Sequence, residues 1–154
     1  MSMRTPTLAI VLIGLAAAPS VAAAPDPADM PTGVATCREA ALGSPDPLRG
    51  PARFLEYPNA LDYAVEEKNG LWTVKLAMLA QTNRPFVVSV VPPQRDEGAL
   101  LYGDRRFATT VRFEPCASRE VTPWPGGVRL VKRKPIRVEI RVPGRKPYTQ
   151  VLFD

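Results

Sequence analysis

From residue 72 onward the chain alternates. Trp72, Val74, Leu76 and Met78 fall on one parity and Thr73 and Lys75 on the other, the period-two pattern of a strand with one buried face. Asn69-Gly70 lies just ahead of it and predicts a hairpin between residues 62–68 and 71–79. Pro85 opens the run FVVSVV at 86–91 and Pro92-Pro93 closes it. So apolar a run predicts a strand covered on both faces or lying centrally in a sandwich. Residues 99–102 predict a short strand and Gly103-Asp104 a turn. Over 106–113, Phe107, Thr109, Val111 and Phe113 alternate with Arg106, Ala108, Thr110 and Arg112. The stretch WPGGVRLVKRKPIRVEIRV, 124–142, reads as a turn at Pro125-Gly126-Gly127, a strand over 128–131, a basic corner and a second strand over 136–142. In that second strand Ile136, Val138, Ile140 and Val142 alternate with Arg137, Glu139 and Arg141. Residues 148–153 supply a terminal strand.

Seven or eight strands at intervals of roughly eight to twelve residues predict an all-β fold, an antiparallel two-sheet sandwich of immunoglobulin-like architecture. The 18 prolines fit this, since many of them bracket apolar runs.

The beginning of the chain has another character. Residues 8–18, LAIVLIGLAAA, form an apolar run behind Arg4, followed by small residues and then Pro25-Asp26-Pro27. This is the pattern of an export signal, with the cut expected after Ala23 and Ala22 or Ala24 as the alternatives. A spanning helix needs about 20 apolar residues, and this run is too short. Residues 24–58 are rich in Pro, Ala, Asp and Gly without sustained periodicity, and predict an irregular N-terminal arm. One helical turn is expected over 36–42, residues 53–57 could form a strand ending at Pro58, and residues 59–67 read as a short helix or another strand. The organisation expected is a signal peptide at 1–23, an arm at 24–58 and a sandwich domain at 59–154.

Export changes the reading of the two cysteines, Cys37 and Cys116. In an oxidising compartment they are expected to pair, closing a loop of about 80 residues that the chain-entropy model values at roughly 4 kcal/mol. Two buried free thiols are the alternative. The order Cys37–Trp72–Cys116 has an immunoglobulin flavour, but the first gap is too long for that core disulfide and Cys37 falls in no predicted strand.

The chain has no histidine. Ser44, Ser89 and Ser118 therefore lack the ordinary general base of a hydrolytic triad. The carboxylates are scattered, and the adjacent pairs Glu66-Glu67 and Asp96-Glu97 would point to opposite faces of a strand. No histidine, cysteine or aspartate spacing of a metal site occurs, and no cofactor is expected.

Charge is the remaining signal. Residues 128–147 hold eight cations (Arg129, Lys132, Arg133, Lys134, Arg137, Arg141, Arg145 and Lys146) against Glu139, a net +7. The chain from Ala24 has 19 basic and 15 acidic residues, a net +4, so the remainder carries −3. A stripe of this kind attracts polyanions. It equally keeps an exposed edge strand from pairing with other chains. Aromatics are not interleaved with it, so nucleic acid is not expected.

Several segments in order carry a resemblance: WTVK at 72–75, the strand 87–92, LLY at 100–102, VRFEPC at 111–116, WPGG at 124–127 and VEIRVPGR at 138–145. Together, over residues 71–154, they resemble small exported β-domain proteins of high-GC Gram-positive bacteria, a mostly uncharacterised group. Members often carry a Cys after the Pro that opens the penultimate strand, where this chain has Ile136. The resemblance implies a secreted or surface-held β-domain and transfers no activity.

The expectation is thus an exported, non-enzymatic binding or structural domain of the cell envelope or medium. It would contact anionic polymers through a basic C-terminal hairpin. A module for a protein partner, of protease-inhibitor type, and a small hydrolase using Asp and Glu are the alternatives.

Overall fold

A computed structural model describes residues 32–41, 50–55, 58–104 and 107–154. The expected signal peptide and much of the expected arm lie outside the described residues. Eleven strands are described: β1 (Gly33–Ala35), β2 (Ala52–Leu55), β3 (Val65–Glu66), β4 (Trp72–Ala80), β5 (Phe86–Val90), β6 (Gly98–Leu101), β7 (Phe107–Ala108), β8 (Thr110–Phe113), β9 (Thr122–Leu130), β10 (Ile136–Arg141) and β11 (Tyr148–Leu152). They form two sheets. One has the order β1-β8-β5-β10-β11, with every pair antiparallel except β1 with β8. The other has the order β2-β4-β9-β6-β7, and β3 shares the outer edge of β4 with β2. The protein is an all-β two-sheet sandwich.

Inward parities fill the space between the sheets. Val74, Leu76 and Met78 of β4 face Val88 and Val90 of β5 and Ile136, Val138 and Ile140 of β10 in one buried cluster. β5 occupies the centre of its sheet and is covered on one face only, Val87 and Ser89 being half-buried on the other. At one end the core is aromatic. The Phe86 and Phe113 rings stack at 5.1 Å, and Trp124 meets both edge-on, at 6.1 and 5.1 Å. Tyr102 joins Phe113 to Phe54 at 5.3 and 5.9 Å. Contacts of this geometry contribute about 0.5–1.5 kcal/mol each beyond area burial. Both polar handles are satisfied: the Tyr102 hydroxyl donates to the Leu76 carbonyl at 2.6 Å, and Trp124 Nε1–H donates to the Thr36 carbonyl at 2.8 Å.

Four expectations change. Pro125-Gly126-Gly127 is no turn but the middle of the nine-residue β9. A Cβ on Gly126 would lie 2.4 Å from the Tyr102 ring, and one on Gly127 2.5 Å from the Val74 carbonyl oxygen. These glycines therefore serve close approach, not chain reversal. Pro123 and Pro125 are tolerated because β9 has a strand neighbour on one side only there, β6 pairing beginning at Gly127.

Second, β9 and β10 form no hairpin, since they belong to different sheets and residues 131–135 cross between them. Ile136 enters the core against β6, where a Cβ on Gly98 would sit 2.2 Å from its Cδ1. Third, the strand predicted over 106–113 is two. β7 lies in one sheet and β8 in the other, and the alternation slips at Thr109, so that Phe107 faces outward and Ala108 inward. Fourth, the arm at 24–58 is not wholly irregular, because β1 and β2 are strands of the sandwich.

The segment after β1 is fastened to the body. Cys37–Glu39 form a 3₁₀ turn with a Thr36/Glu39 capping box. Cys37 and Cys116 form a disulfide. Nearby, Ala41 N–H donates to the Pro123 carbonyl and Glu114 N–H to that of Ala35, both at 2.8 Å. The disulfide thus ties this segment to the β8–β9 loop at one end of the sandwich. The tryptophan buried beside it is Trp124, while Trp72 is half-buried.

A side chain closes the seam between the outer strands β2 and β11. Gln150 Oε1 accepts from Phe54 N–H at 3.0 Å, and its Nε2 donates to the Phe54 carbonyl at 3.2 Å. The amide does for Phe54 what a neighbouring strand would do. Gln150→Ala leaves both groups without partners, and we expect a loss of about 1–3 kcal/mol in urea unfolding with faster amide exchange at Phe54. Removing the disulfide (Cys37→Ser with Cys116→Ser) should lower stability by up to about 4 kcal/mol. It should also shift tryptophan emission to the red as Trp124 loses its cover.

Candidate functional site

The fold divides the basic segment. Arg129 points outward from β9, where Glu67 takes its Nη2 at 2.8 and 3.1 Å and its Nε at 3.2 Å. Its guanidinium lies over the Phe107 ring, 3.0 Å from the centroid. Arg133 donates to the Leu61 carbonyl at 2.6 Å and to Asp62 at 3.4 Å, above Trp72. Lys134 pairs with Glu97 at 2.6 Å. These three cations of the predicted stripe are therefore neutralised, all on the six-stranded sheet or the crossing after β9. Lys132 is exposed on that crossing.

The carboxylates respond to their partners. The Thr73 hydroxyl, followed by Arg129, holds Glu67 below its ordinary value. Lys134 does the same for Glu97, and the Thr36 hydroxyl for Glu39.

The rest of the stripe faces outward on the five-stranded sheet. Arg137 and Arg141 lie on the exposed parity of β10, with Arg145 and Lys146 in the turn after it. Register brings in another cation. Val87 pairs with Arg112 on one side and Arg141 on the other, so the two arginines flank it across three adjacent strands. Arg112, Arg141 and Arg145 line one depression of about 330 Å³, whose floor and walls include Pro85, Val87, Val142 and Pro143. Arg84 stands beside it: a Cβ on Gly144, at the rim, would lie 3.6 Å from an Arg84 Nη. Gly144 itself has φ +78°, a value that favours glycine in this tight turn.

The two central arginines are held alike. Arg112 Nε donates to Glu114 at 3.3 Å, and Arg141 Nε donates to Glu139. Each carboxylate lies two residues away on the same chain segment. Both arginines are more than half exposed. Such pairs add little to stability, but they aim the guanidinium groups.

Sequence reasoning missed Arg84 and Arg112. Arg112 shows in its strand pattern only as an outward residue. The order β8-β5-β10, which no local pattern encodes, sets it beside Arg141.

Two other concavities lie on the six-stranded sheet. One, of about 870 Å³, is lined by Pro58, Tyr63, Val65 and Thr73 with Lys75. The other, of about 560 Å³, includes Glu39, Lys75, Tyr102 and Gly126. Ser89 Oγ lies 3.0 Å from Thr110 Oγ1 on the outer face of the five-stranded sheet. Among the described residues no three Cys, Asp or Glu side chains gather as metal ligands, and no helix is long and apolar enough to cross a membrane. No family model, no curated protein and no solved structure matches the chain.

Glu67 generates a pH prediction. Its carboxyl titrates lower when folded, so folding favours the ionised form. That contribution is complete above the unfolded value, near 4.5, and is lost as pH falls through the folded one. Thermal midpoints should therefore decline on acidification below that value, and the decline should be shallower in Glu67→Gln. Equal acid limbs in the two proteins would show that the Glu67 carboxylate, held by Thr73 and Arg129, adds nothing to the folded state.

Proposed function

We propose that this protein is an exported, non-enzymatic binding domain of the cell envelope or medium that contacts anionic polymers. The observation that supports this reading is the convergence of Arg112, Arg141 and Arg145 on one depression of the five-stranded sheet, with Arg84 at its rim. They come from three separated parts of the sequence. Arg137 extends the same face along β10, and Lys146 follows Arg145 in the turn.

The surface differs from the basic hairpin that the sequence suggests. Arg129, Arg133 and Lys134 have carboxylate partners, so they contribute little net field. Arg137, Arg145 and Lys146 have no ion pair among the described residues, and Arg141 keeps its Nη groups clear of the bond to Glu139. Exposed charges act over a Debye length of about 8 Å at physiological salt, so contact through them is reversible and salt-sensitive.

Retention on isolated cell envelopes tests the reading. A variant carrying Arg112→Gln, Arg141→Gln and Arg145→Gln should elute at clearly lower salt than the unmodified protein. Arg129→Gln should elute as the unmodified protein does. Retention unchanged in the triple variant would overturn the proposal.

A further inference from the structure

The depression between β5, β8 and β10 has a charge and a lining that define its occupant more narrowly, and the narrower assignment rests on the anion-binding reading above. Arg112, Arg141 and Arg145 line it, and the Arg84 guanidinium stands at its rim beside Gly144. Two carboxylates, Glu114 and Glu139, are bound to them through Nε of Arg112 and Nε of Arg141. The balance is +2. The floor between the two central arginines is apolar, made by Val87 with Pro85, Val142 and Pro143 beside it.

We infer that this depression is a binding site for a doubly charged phosphoryl group, a phosphate monoester or pyrophosphate. A carboxylate or a phosphodiester brings a single negative charge and leaves the site half neutralised. A phosphate monoester carries about −1.5 to −2 at neutral pH. Its three oxygens can each accept from a different guanidinium, and arginine's planar fork suits that geometry. Arg112 and Arg141 approach from opposite sides, since their strands flank β5 at about 4.8 Å each. Their Nε groups are taken by Glu114 and Glu139, which leaves the Nη groups to donate to a ligand. The apolar floor accommodates the ester's organic part, or the methylene stems of the arginines themselves.

Phenyl phosphate and phenyl sulfate make the test, because they share a shape and differ in charge. Titrated against the full chain by calorimetry or by arginine Nε–H resonances, phenyl phosphate should bind more tightly than phenyl sulfate. Arg112→Gln with Arg141→Gln should weaken phenyl phosphate by about tenfold or more. Lys75→Gln, which removes one charge from the opposite sheet, should leave it unchanged. A second measurement needs no variant: affinity for phenyl phosphate should rise from about pH 5 to 7.5 with the ester's second ionisation, near 6, and affinity for phenyl sulfate should not.

Phosphatidic acid vesicles distinguish the sources. If they displace phenyl phosphate, a lipid surface can deliver the group. If they do not, while phenyl phosphate binds, the group is soluble or polymer-borne, and either result upholds the site. Equal affinity for the two esters, or no effect of the arginine pair, overturns it. Lost envelope retention without phenyl phosphate binding would reject this assignment and leave the polyanion reading standing. Phosphate binding with unchanged retention would do the reverse.

Discussion

Trp124 is where the separate parts of this sandwich meet. Its ring is fully buried and touches Phe86 and Phe113, which belong to the opposite sheet. Its Nε1–H leaves the core to reach the Thr36 carbonyl, next to the disulfide. An indole buried with no acceptor would carry a desolvation penalty of about 1–3 kcal/mol, so the segment after β1 is needed to complete the core. The glycines that follow Trp124 depend on the same packing. Tyr102 lies so close to Gly126 that a side chain there would displace its ring, and that ring links Phe113 to Phe54. One stretch of β9 therefore sets both the spacing of the sheets and the docking of the chain's earliest described residues.

A two-sheet sandwich must also deal with its edges, where unpaired backbone invites other chains. On one side the chain itself passes from sheet to sheet, β7 continuing into β8 through the buried Thr109, whose carbonyl accepts from Val90 N–H. On the other side Gln150 bonds to both backbone groups of Phe54, and the Tyr148 hydroxyl donates to the Ala52 carbonyl. Burial raises the Tyr148 pKa, which favours the neutral phenol, the form able to donate. The sandwich is thus partly closed by chain continuity and partly by side chains that imitate a strand.

Parity carried most of the strand reading. The faces of β4 and β10 follow directly from alternation, and β5's near-absence of polar residues matches its central place. The errors share a cause. Pro-Gly-Gly is ordinarily a turn, and only the approach of Tyr102 and Val74 makes it strand. The break at Thr109 is hidden because a threonine suits either face, so the pattern reads through a change of sheet. The residues after β9 look like a hairpin corner because a local sequence does not reveal which sheet receives the next strand. The disulfide was legible from two cysteines and an export pattern, whereas β1 was not, since three residues paired parallel to β8 leave no period to detect.

The same distinction governs the charges. A count along the chain gives +7 over residues 128–147, but a field belongs to a surface and not to a segment. Folding sets Glu67, Asp62 and Glu97, all from outside the basic run, against Arg129, Arg133 and Lys134. It then sets Arg84 and Arg112, also from outside it, near Arg141 and Arg145. The cationic surface that results shares only part of its membership with the run that drew attention to it. Its centre is determined by register, because Val87 must pair with β8 and β10 at once for Arg112 and Arg141 to flank it. A one-residue slip of β8 or β10 against β5 would turn that strand's arginine toward the core, and the apolar partners that forbid the slip are Phe113 and Ile140. The packing of the interior therefore holds the charged surface in place, and the aromatic end of the core lies directly beneath it.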